Sequence, residues 1–239
     1  MNDIKGIIFD FGGTLDTHGV HWFHIFRQEY SKRVPHITEE QLREAYVYTE
    51  RYLAMHRVIE PTDNFLDMLR KKIAIQLSQL VFSSEEIELH TELLATSCND
   101  VVLSKMEQTR RILERLSAHY PMVLVSNFYG NISSVLQTYE LSNYFRQIIE
   151  SAIVGIRKPN PEIFALGINT LGLAPNEVLV VGDSYSKDIQ PAHTLGCRTA
   201  WLKGQGWNNN DEPSDSSCAD FIISELSEIA DILNTVPSR

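Results

Sequence analysis

The sequence is poor in cysteine, in positive charge and in long apolar runs, and each shortage excludes a class of protein. Its three cysteines fit neither a metal-binding spacing nor a complete set of disulfides, so we expect reduced thiols. Lysine and arginine number 21 against 31 acidic residues, and the charge of −10 argues against a nucleic-acid partner, since phosphate backbones require a basic face. No run approaches the ~20 apolar residues of a membrane span, and the apolar run after Lys5 is too short for a signal peptide. We therefore expect a soluble, cytoplasmic protein with no membrane partner.

Six short apolar runs recur along the chain, separated by stretches of helical length. They cover residues 4–10, 121–127, 147–154, 177–183, 197–202 and 220–224. Short runs bounded by turn residues are typical of buried parallel strands. Helix signals lie between them, because Pro161 suits the first turn of one helix and Gly196 the end of another. The alternation predicts an α/β fold, a doubly wound, Rossmann-like parallel sheet with helices on both faces.

Residues 18–103 contain no strand-like run, and helix signals dominate there. Thr38 and Ser83 each precede a glutamine or glutamate by three residues, which is the spacing of a capping box. Large apolar residues recur at helical period in one segment: Leu66, Leu69, Ile73, Leu77 and Leu80. We therefore expect about four helices inserted between the first and second strands.

The boundary between this insertion and the rest of the chain is expected near residue 104. Ser104 has capping-box spacing, which predicts that a new helix starts there. The expected domains are an α/β core made of residues 1–17 and 104–239 and a helical cap made of residues 18–103. A segment rich in glycine, asparagine and serine at 203–220 is expected to form a loop before the last strand.

Polar side chains collect at the carboxyl ends of the predicted strands, where open parallel sheets bind their ligands. They are Asp10, Thr14, Ser126, Asn127 and Asp183, with Lys158 and Asp188 in the loops that follow. Crowded carboxylates repel one another unless a cation lies between them, and Mg²⁺ is an ion that carboxylate and carbonyl oxygens bind. A lysine beside them suits an anionic group such as phosphate. Each residue alone is also typical of an ordinary turn or helix cap, but their joint order favours a site.

Four segments, "DFGGTLD", "VSN", "RKPNPEIF" and "GDSYSKDI", resemble in this order the four motifs of the haloacid dehalogenase-like (HAD) hydrolase superfamily. The helical insertion after the first segment is similar to the cap of its phosphatase-rich branch. The resemblance extends from Ile4 to about Leu202. It implies a Mg²⁺-dependent phosphatase that hydrolyses the phosphoric monoester of a small phosphorylated metabolite through an aspartyl-phosphate intermediate.

The resemblance also implies a role for each residue that touches the substrate. Asp10 would be the nucleophile. Lys158 would be the second catalytic residue, binding nucleophile and phosphate together and neutralising their charge. Thr14 and Ser126 would bind the phosphoryl group, helped by the backbone amide near Asn127.

The metal site implied by the resemblance includes a departure from the family pattern. Mg²⁺ would be held by Asp10, Asp183 and the backbone carbonyl of Gly12, and Asp188 would orient Lys158 or the water around the metal. Most phosphatases of the superfamily have a second aspartate at the position of Gly12, which protonates the leaving oxygen. General acid–base catalysis is worth ~10²–10⁴-fold, so its loss weakens a phosphatase without abolishing it.

Several alternatives follow from the missing acid. His18 or His21 could replace it, since histidine donates protons near neutral pH, although such residues are more often ordinary loop residues. A phosphonoacetaldehyde hydrolase-like enzyme would cleave a C–P bond with a cap lysine as Schiff base, and Lys32, Lys71 and Lys72 are available. A catalytically weak phosphate-binding or regulatory protein is a further reading, although the retained nucleophile counts against it. Carbon–halogen cleavage is disfavoured by Asp183 and Asp188, the two acidic residues of the last motif.

Overall fold

A six-stranded sheet lies at the centre of the computed structural model, which describes residues 4–207 and 216–234. Its strands are β1 (Gly6–Phe9), β2 (Met122–Ser126), β3 (Gln147–Glu150), β4 (Val178–Gly182), β5 (Arg198–Leu202) and β6 (Phe221–Ile223). Every adjacent pair is parallel, and the order across the sheet is β3-β2-β1-β4-β5-β6. The doubly wound parallel sheet predicted from the sequence is therefore confirmed, with β1 at the point where the strand order reverses.

Helices connect the strands and cover both faces of the sheet. In the described ranges they are α1 (Trp22–Arg33), α2 (Glu39–Met55), α3 (Phe65–Ser78), α4 (Ser84–Ser117), α5 (Ile132–Thr138), α6 (Ser151–Val154), α7 (Glu162–Leu171), α8 (Gln190–Thr194) and α9 (Ile229–Asn234). The predicted capping boxes at Thr38 and Ser83 are present, with reciprocal hydrogen bonds at the starts of α2 and α4. Four helices, α1–α4, thus separate β1 from β2 along the chain.

Two local predictions are wrong. Ser104 starts no helix, because it lies inside α4, which runs unbroken for 34 residues. Buried residues at Leu94, Cys98, Val102 and Met106 continue one apolar stripe through that point, so the periodicity overrides the local capping signal. The second half of the run at 147–154 forms the short helix α6 instead of extending β3.

The helix α4 also passes through the boundary expected between residues 103 and 104. The division into a core (1–17 and 104–239) and a cap (18–103) therefore remains a prediction. The central part of the loop predicted at 203–220, residues 208–215, lies outside the described residues. Among the residues that are described, no helix combines the length and the apolar composition needed to cross a bilayer.

Burial of the central strand on both faces fixes the position of the residue that follows it. All four residues of β1 are buried. Ile8 packs on one face with Phe164 of α7, whereas Ile7 and Phe9 pack on the other face in the cluster that includes the inserted helices. Such two-sided burial is typical of parallel sheets. The chain leaves the sheet at Asp10, directly after β1, at the carboxyl edge.

Candidate active site

The sheet brings together side chains from distant parts of the chain at its carboxyl edge. Asp10 directly follows β1, Ser126 ends β2, and Asp183 directly follows β4. Because β1 pairs with both β2 and β4, these three strand ends are neighbours. Asp10 and Ser126 are buried, whereas Asp183 is partly exposed. The topology therefore brings these three residues to neighbouring positions.

Lys158 connects two carboxylates of this site. Its Nζ lies 2.5 Å from Oδ1 of Asp10 and 2.7 Å from Oδ1 of Asp188. All three side chains are buried. Burial alone would lower the pKa of Lys158, but the charges of Asp10 and Asp188 outweigh it and raise that pKa above its usual value. The ammonium is therefore a fixed positive charge beside Asp10.

Asn127 holds the backbone that carries Lys158. Its Oδ1 accepts a hydrogen bond from the Lys158 N–H at 2.9 Å, and its Nδ2 donates to the Lys158 carbonyl at 3.0 Å. The side chain predicted to bind substrate is thus engaged with the third motif, while its backbone lies directly after β2. Asn127 joins the second motif to the third.

Thr14 joins the first motif to the fourth. Its hydroxyl accepts from the backbone N–H of Asp183 at 3.0 Å, and it lies 3.1 Å from Asp10 Oδ2 and 3.3 Å from Asp183 Oδ1. One hydroxyl proton serves only one of those two carboxylates at a time. Gly13 permits this approach: its φ is +96°, and a Cβ atom there would lie 2.3 Å from Asp183 Oδ2. Only glycine fits at that position.

Three carboxylates converge in a way that suits a metal ion. Asp10, Asp183 and Asp188 each offer an oxygen, and these oxygens all lie within 4.8 Å of one another. Lys158 supplies one compensating charge among them. Burial, and then the charges of Asp10 and Asp188, raise the pKa of Asp183 well above its usual value. Burial likewise raises the pKa of Asp10 to about 6, against the lowering effect of Lys158. This excess of negative charge and of oxygen donors fits a divalent cation such as Mg²⁺.

Gly12, two residues after Asp10, is exposed. A Cβ atom at Gly12 would meet nothing within 4 Å. The absence of the usual acid therefore has no steric cause, since a longer side chain would enter open space. Within the described residues, no backbone N–H donates to the Gly12 carbonyl, which leaves that oxygen available to a ligand.

The two histidines considered as replacement acids have other contacts. His18 Nε2 lies 2.7 Å from the Thr109 hydroxyl on α4, and His21 Nδ1 accepts from the backbone N–H of Phe23 at the start of α1. Burial, with a smaller contribution from nearby lysines, lowers the pKa of each imidazole to about 4. Both side chains are therefore neutral at pH 7, which disfavours them as proton donors.

Asp16 is a site residue that the sequence reasoning missed. Its side chain is buried and accepts from the Gly13 N–H at 2.6 Å and from the Trp22 indole N–H at 2.7 Å. It therefore fixes the turn after Asp10 and the start of α1 together. Burial outweighs these hydrogen bonds and raises the pKa of Asp16 to about 7. The only sequence signal was its place inside the first motif, because a loop residue carries no periodicity.

Comparisons with known proteins support one family. The family model described as haloacid dehalogenase-like hydrolase matches residues 7–202. A glyceraldehyde 3-phosphate phosphatase from Pyrococcus furiosus is 31% identical over 94 residues, a stretch that covers 39% of this chain and 39% of that protein's length. A phosphoglycolate phosphatase from Shigella boydii is 27% identical over 241 residues, covering 96% of this chain and 92% of that protein.

The fold is shared with enzymes of different chemistry. The structure of an L-2-haloacid dehalogenase from Xanthobacter autotrophicus, with chloropropionic acid covalently bound, superposes with a TM-score of 0.61. The match covers 98% of this chain and 100% of that one, at 16% identity. A likeness at this identity concerns the fold alone, so the reaction has to be argued from the side chains at the sheet edge.

Proposed function

This chain belongs to the haloacid dehalogenase-like hydrolase family, and from that premise we propose that it is a Mg²⁺-dependent phosphatase of a small phosphorylated metabolite. The observation that carries the proposal is the position of Lys158 between Asp10 and Asp188, with Asp183 facing them. One cation among three carboxylates leaves a net charge of −2, which a divalent metal ion balances. Lys158 and the metal together then offer positive charge to a phosphoryl group. The phosphatase names of two relatives point in the same direction.

The proposed reaction has two displacements at phosphorus. First, the Asp10 carboxylate forms a bond to phosphorus while the ester P–O bond breaks, and the leaving oxygen keeps the electron pair. Next, water attacks the same phosphorus, the bond to Asp10 breaks, and inorganic phosphate leaves. Lys158 neutralises nucleophile and phosphoryl oxygens, and Thr14, Ser126 and the backbone N–H of Asn127 bind those oxygens.

The metal would be held by Asp10, Asp183 and the Gly12 carbonyl, with Asp188 supporting Lys158. When bound, Mg²⁺ supplies positive charge that offsets the negative charge of the phosphoryl group during transfer. Oδ1 of Asp188 meets Lys158 at 2.7 Å, and its Oδ2 accepts from the Ser184 N–H at 3.1 Å. Both oxygens of Asp188 are thus engaged, which supports its role as a positioning residue.

The missing acid determines which leaving groups suit this site. No carboxyl group stands at Gly12 to protonate the leaving oxygen, and both nearby histidines are neutral at pH 7. The exposure of Gly12 lets water reach that position. We expect solvent to supply the proton and good leaving groups to depart fastest.

The surroundings of the inserted lysines disfavour a Schiff-base enzyme. Burial would lower the pKa of Lys72, but Glu50 and Tyr46 beside it raise that pKa above its usual value. Lys32 and Lys71 are paired at 2.5 Å with Glu29 and Asp63. A Schiff base needs an unprotonated amine, so these contacts favour the phosphatase over the C–P hydrolase. A cytoplasmic location and the absence of a nucleic-acid partner remain predictions.

A hydrolysis panel tests the proposal. Aryl, acyl and sugar phosphates, nucleotides and phosphonoacetaldehyde would be offered to the protein with and without Mg²⁺. We expect metal-dependent phosphate release, fastest from aryl or acyl phosphates, and its loss in Asp10→Asn. Phosphate binding without turnover of any ester would instead favour the regulatory alternative.

A further inference from the structure

An ion pair between a buried lysine and a partly buried glutamate lies where the inserted helices meet the loop after β2. Lys72 of α3 donates to the Tyr129 hydroxyl at 3.0 Å and forms an ion pair with Oε1 of Glu50 on α2. The Tyr129 hydroxyl in turn donates to Glu50 Oε2 at 2.9 Å. Lys72 is 5% exposed, and its Nζ lies 5.3 Å from the ring centre of Tyr46 and 5.7 Å from that of Phe26. We name Lys72, Glu50 and Tyr129 the polar triad.

The polar triad lies beside the segment that follows Ser126, one of the residues proposed to bind phosphate. Tyr129 lies three residues after Ser126, which ends β2. The ring of Phe128, next to Tyr129, packs edge-on against Phe11 with centroids 5.8 Å apart, and Phe11 directly follows Asp10. The strands occupy the other side of Asp10. A leaving group attached to a phosphate at Asp10 therefore extends away from the sheet, toward the inserted helices that carry Glu50 and Lys72.

The triad is charge-balanced but not fully satisfied. Lys72 has three N–H donors, of which Tyr129 and Glu50 account for two. Glu50 Oε1 is a buried atom whose one ion-pair partner among the described residues is Lys72, so a lone pair remains for a second hydrogen bond. A ligand hydroxyl could donate to that oxygen and accept from the third N–H of Lys72. A ligand carboxylate would instead add a second negative charge beside Glu50, with Lys72 as the one cation of the triad to serve both.

From this geometry we propose that the Glu50–Lys72 pair determines specificity, selecting phosphoesters whose leaving group is neutral and carries hydroxyls over those whose leaving group carries a carboxylate. The proposal rests on the proposed function, because it assumes that phosphate binds at Asp10. Specificity here arises from the repulsion between Glu50 and a ligand carboxylate as much as from the hydrogen bonds that the pair forms with a ligand hydroxyl. A polyol or sugar phosphate satisfies both open groups of the pair without adding charge. A carboxylate brings an uncompensated negative charge.

Binding to a protein that does not turn over separates this proposal from the proposed function. In the Asp10→Asn background with Mg²⁺, calorimetry would give dissociation constants for glycerol 3-phosphate, which has neutral hydroxyls, and for phosphoglycolate, which has a carboxylate. We expect glycerol 3-phosphate to bind more tightly. Adding Glu50→Gln leaves the charge of Lys72 uncompensated. The affinity for phosphoglycolate relative to glycerol 3-phosphate should then rise at least tenfold. Adding Lys72→Gln should lower the affinity for phosphoglycolate relative to glycerol 3-phosphate.

Opposite shifts distinguish specificity from a structural role, because loss of packing alone would weaken both ligands in both variants. Glu29→Gln is the matched control: Glu29 is a buried carboxylate of α1 that pairs with Lys32 at 2.5 Å and contacts Ser97. It should leave the ratio unchanged. A ratio that stays within twofold in both triad variants, or no measurable binding of either ligand, would overturn the proposal. Thermal melts confirm that each variant is folded. If one triad variant is unfolded, the test is whether the ratio in the other variant shifts in its expected direction while the ratio in Glu29→Gln does not.

Discussion

The Nζ of Lys158 lies 2.5 Å from Oδ1 of Asp10, although 148 residues separate the two along the chain. Asn127 holds the Lys158 backbone through two hydrogen bonds, and Asp188 holds its ammonium from the other side. The lysine is therefore positioned before any ligand arrives, and the proposed reaction needs no reorganisation of it to stabilise the negative charge of the phosphoryl oxygens. Such preorganised charge is commonly the largest contribution to catalysis.

Replacing Lys158 by alanine should reduce turnover of an aryl phosphate by ~10²–10³-fold, the usual effect of removing one preorganised group. The variant also leaves three carboxylates with no compensating ammonium, so Mg²⁺ should remain required. Lys187→Ala is the matched control, because Lys187 is an exposed lysine of the same motif. Steady-state kinetics would compare the turnover of the aryl phosphate by the two variants. Equal effects of the two substitutions would exclude Lys158 from the reaction.

Gly12→Asp should restore the missing proton donor. A Cβ at Gly12 meets nothing within 4 Å, so the carboxylate can be accommodated. We expect turnover of an alkyl phosphate, whose leaving oxygen needs a proton, to rise by up to ~10²–10⁴-fold, with little change on an aryl phosphate. Gly12→Asn matches the size without the acid and should give no gain. An equal rise on both substrates would mean that proton donation does not limit the wild type.

Gly13→Ala should abolish turnover, because the new methyl group would lie 2.3 Å from Asp183 Oδ2 and displace it. Gly155 is the matched control: its φ is +71°, but a Cβ there meets nothing within 4 Å. Gly155→Ala therefore carries only the left-handed backbone penalty of ~1–2 kcal/mol. Denaturant unfolding should detect that loss in Gly155→Ala while its turnover stays normal. Normal turnover in Gly13→Ala would refute the close packing of the first and fourth motifs.

Asp16 should make the stability of the protein depend on pH. Its pKa is about 7 when folded and 3.8 in the reference state, because burial disfavours the charged form. The unfolded chain therefore loses this proton first, so the free energy of unfolding falls as pH rises from about 4 to about 7. The full effect is about 4 kcal/mol at 1.36 kcal/mol for each pKa unit. Asp16→Asn should lack this component, so urea titrations at pH 4 and pH 8 should diverge between the two proteins. Parallel pH profiles would contradict the raised pKa.

The elements carrying the strongest local patterns could be predicted from the sequence. The buried runs ending at Asp10 and Asp183 gave two neighbouring strands, and the capping boxes at Thr38 and Ser83 gave two helix starts. Ser104 has the same spacing but lies inside α4, where a continuous apolar stripe dominates. A capping pattern is therefore informative only where the periodicity also begins.

The contacts between motifs could not be predicted in the same way. The four motifs indicated which residues share a site, but not that Asn127 is engaged with the backbone of Lys158. Asp16 and the polar triad were missed because their burial depends on tertiary packing. Lys71 and Lys72 are adjacent in the same helical segment of the sequence, yet Lys72 is buried and Lys71 is not. One-dimensional patterns do not distinguish two adjacent lysines on one helix.

The most direct test of the proposed mechanism is detection of the covalent intermediate. The protein would be mixed with Mg²⁺ and an aryl phosphate, quenched with acid during turnover, digested and analysed by mass spectrometry. The proposed mechanism predicts one phosphoryl group on the peptide that contains Asp10, and none in Asp10→Asn, which should not turn over. Turnover without phosphorylation of that peptide, or activity of Asp10→Asn within a few-fold of wild type, would contradict it.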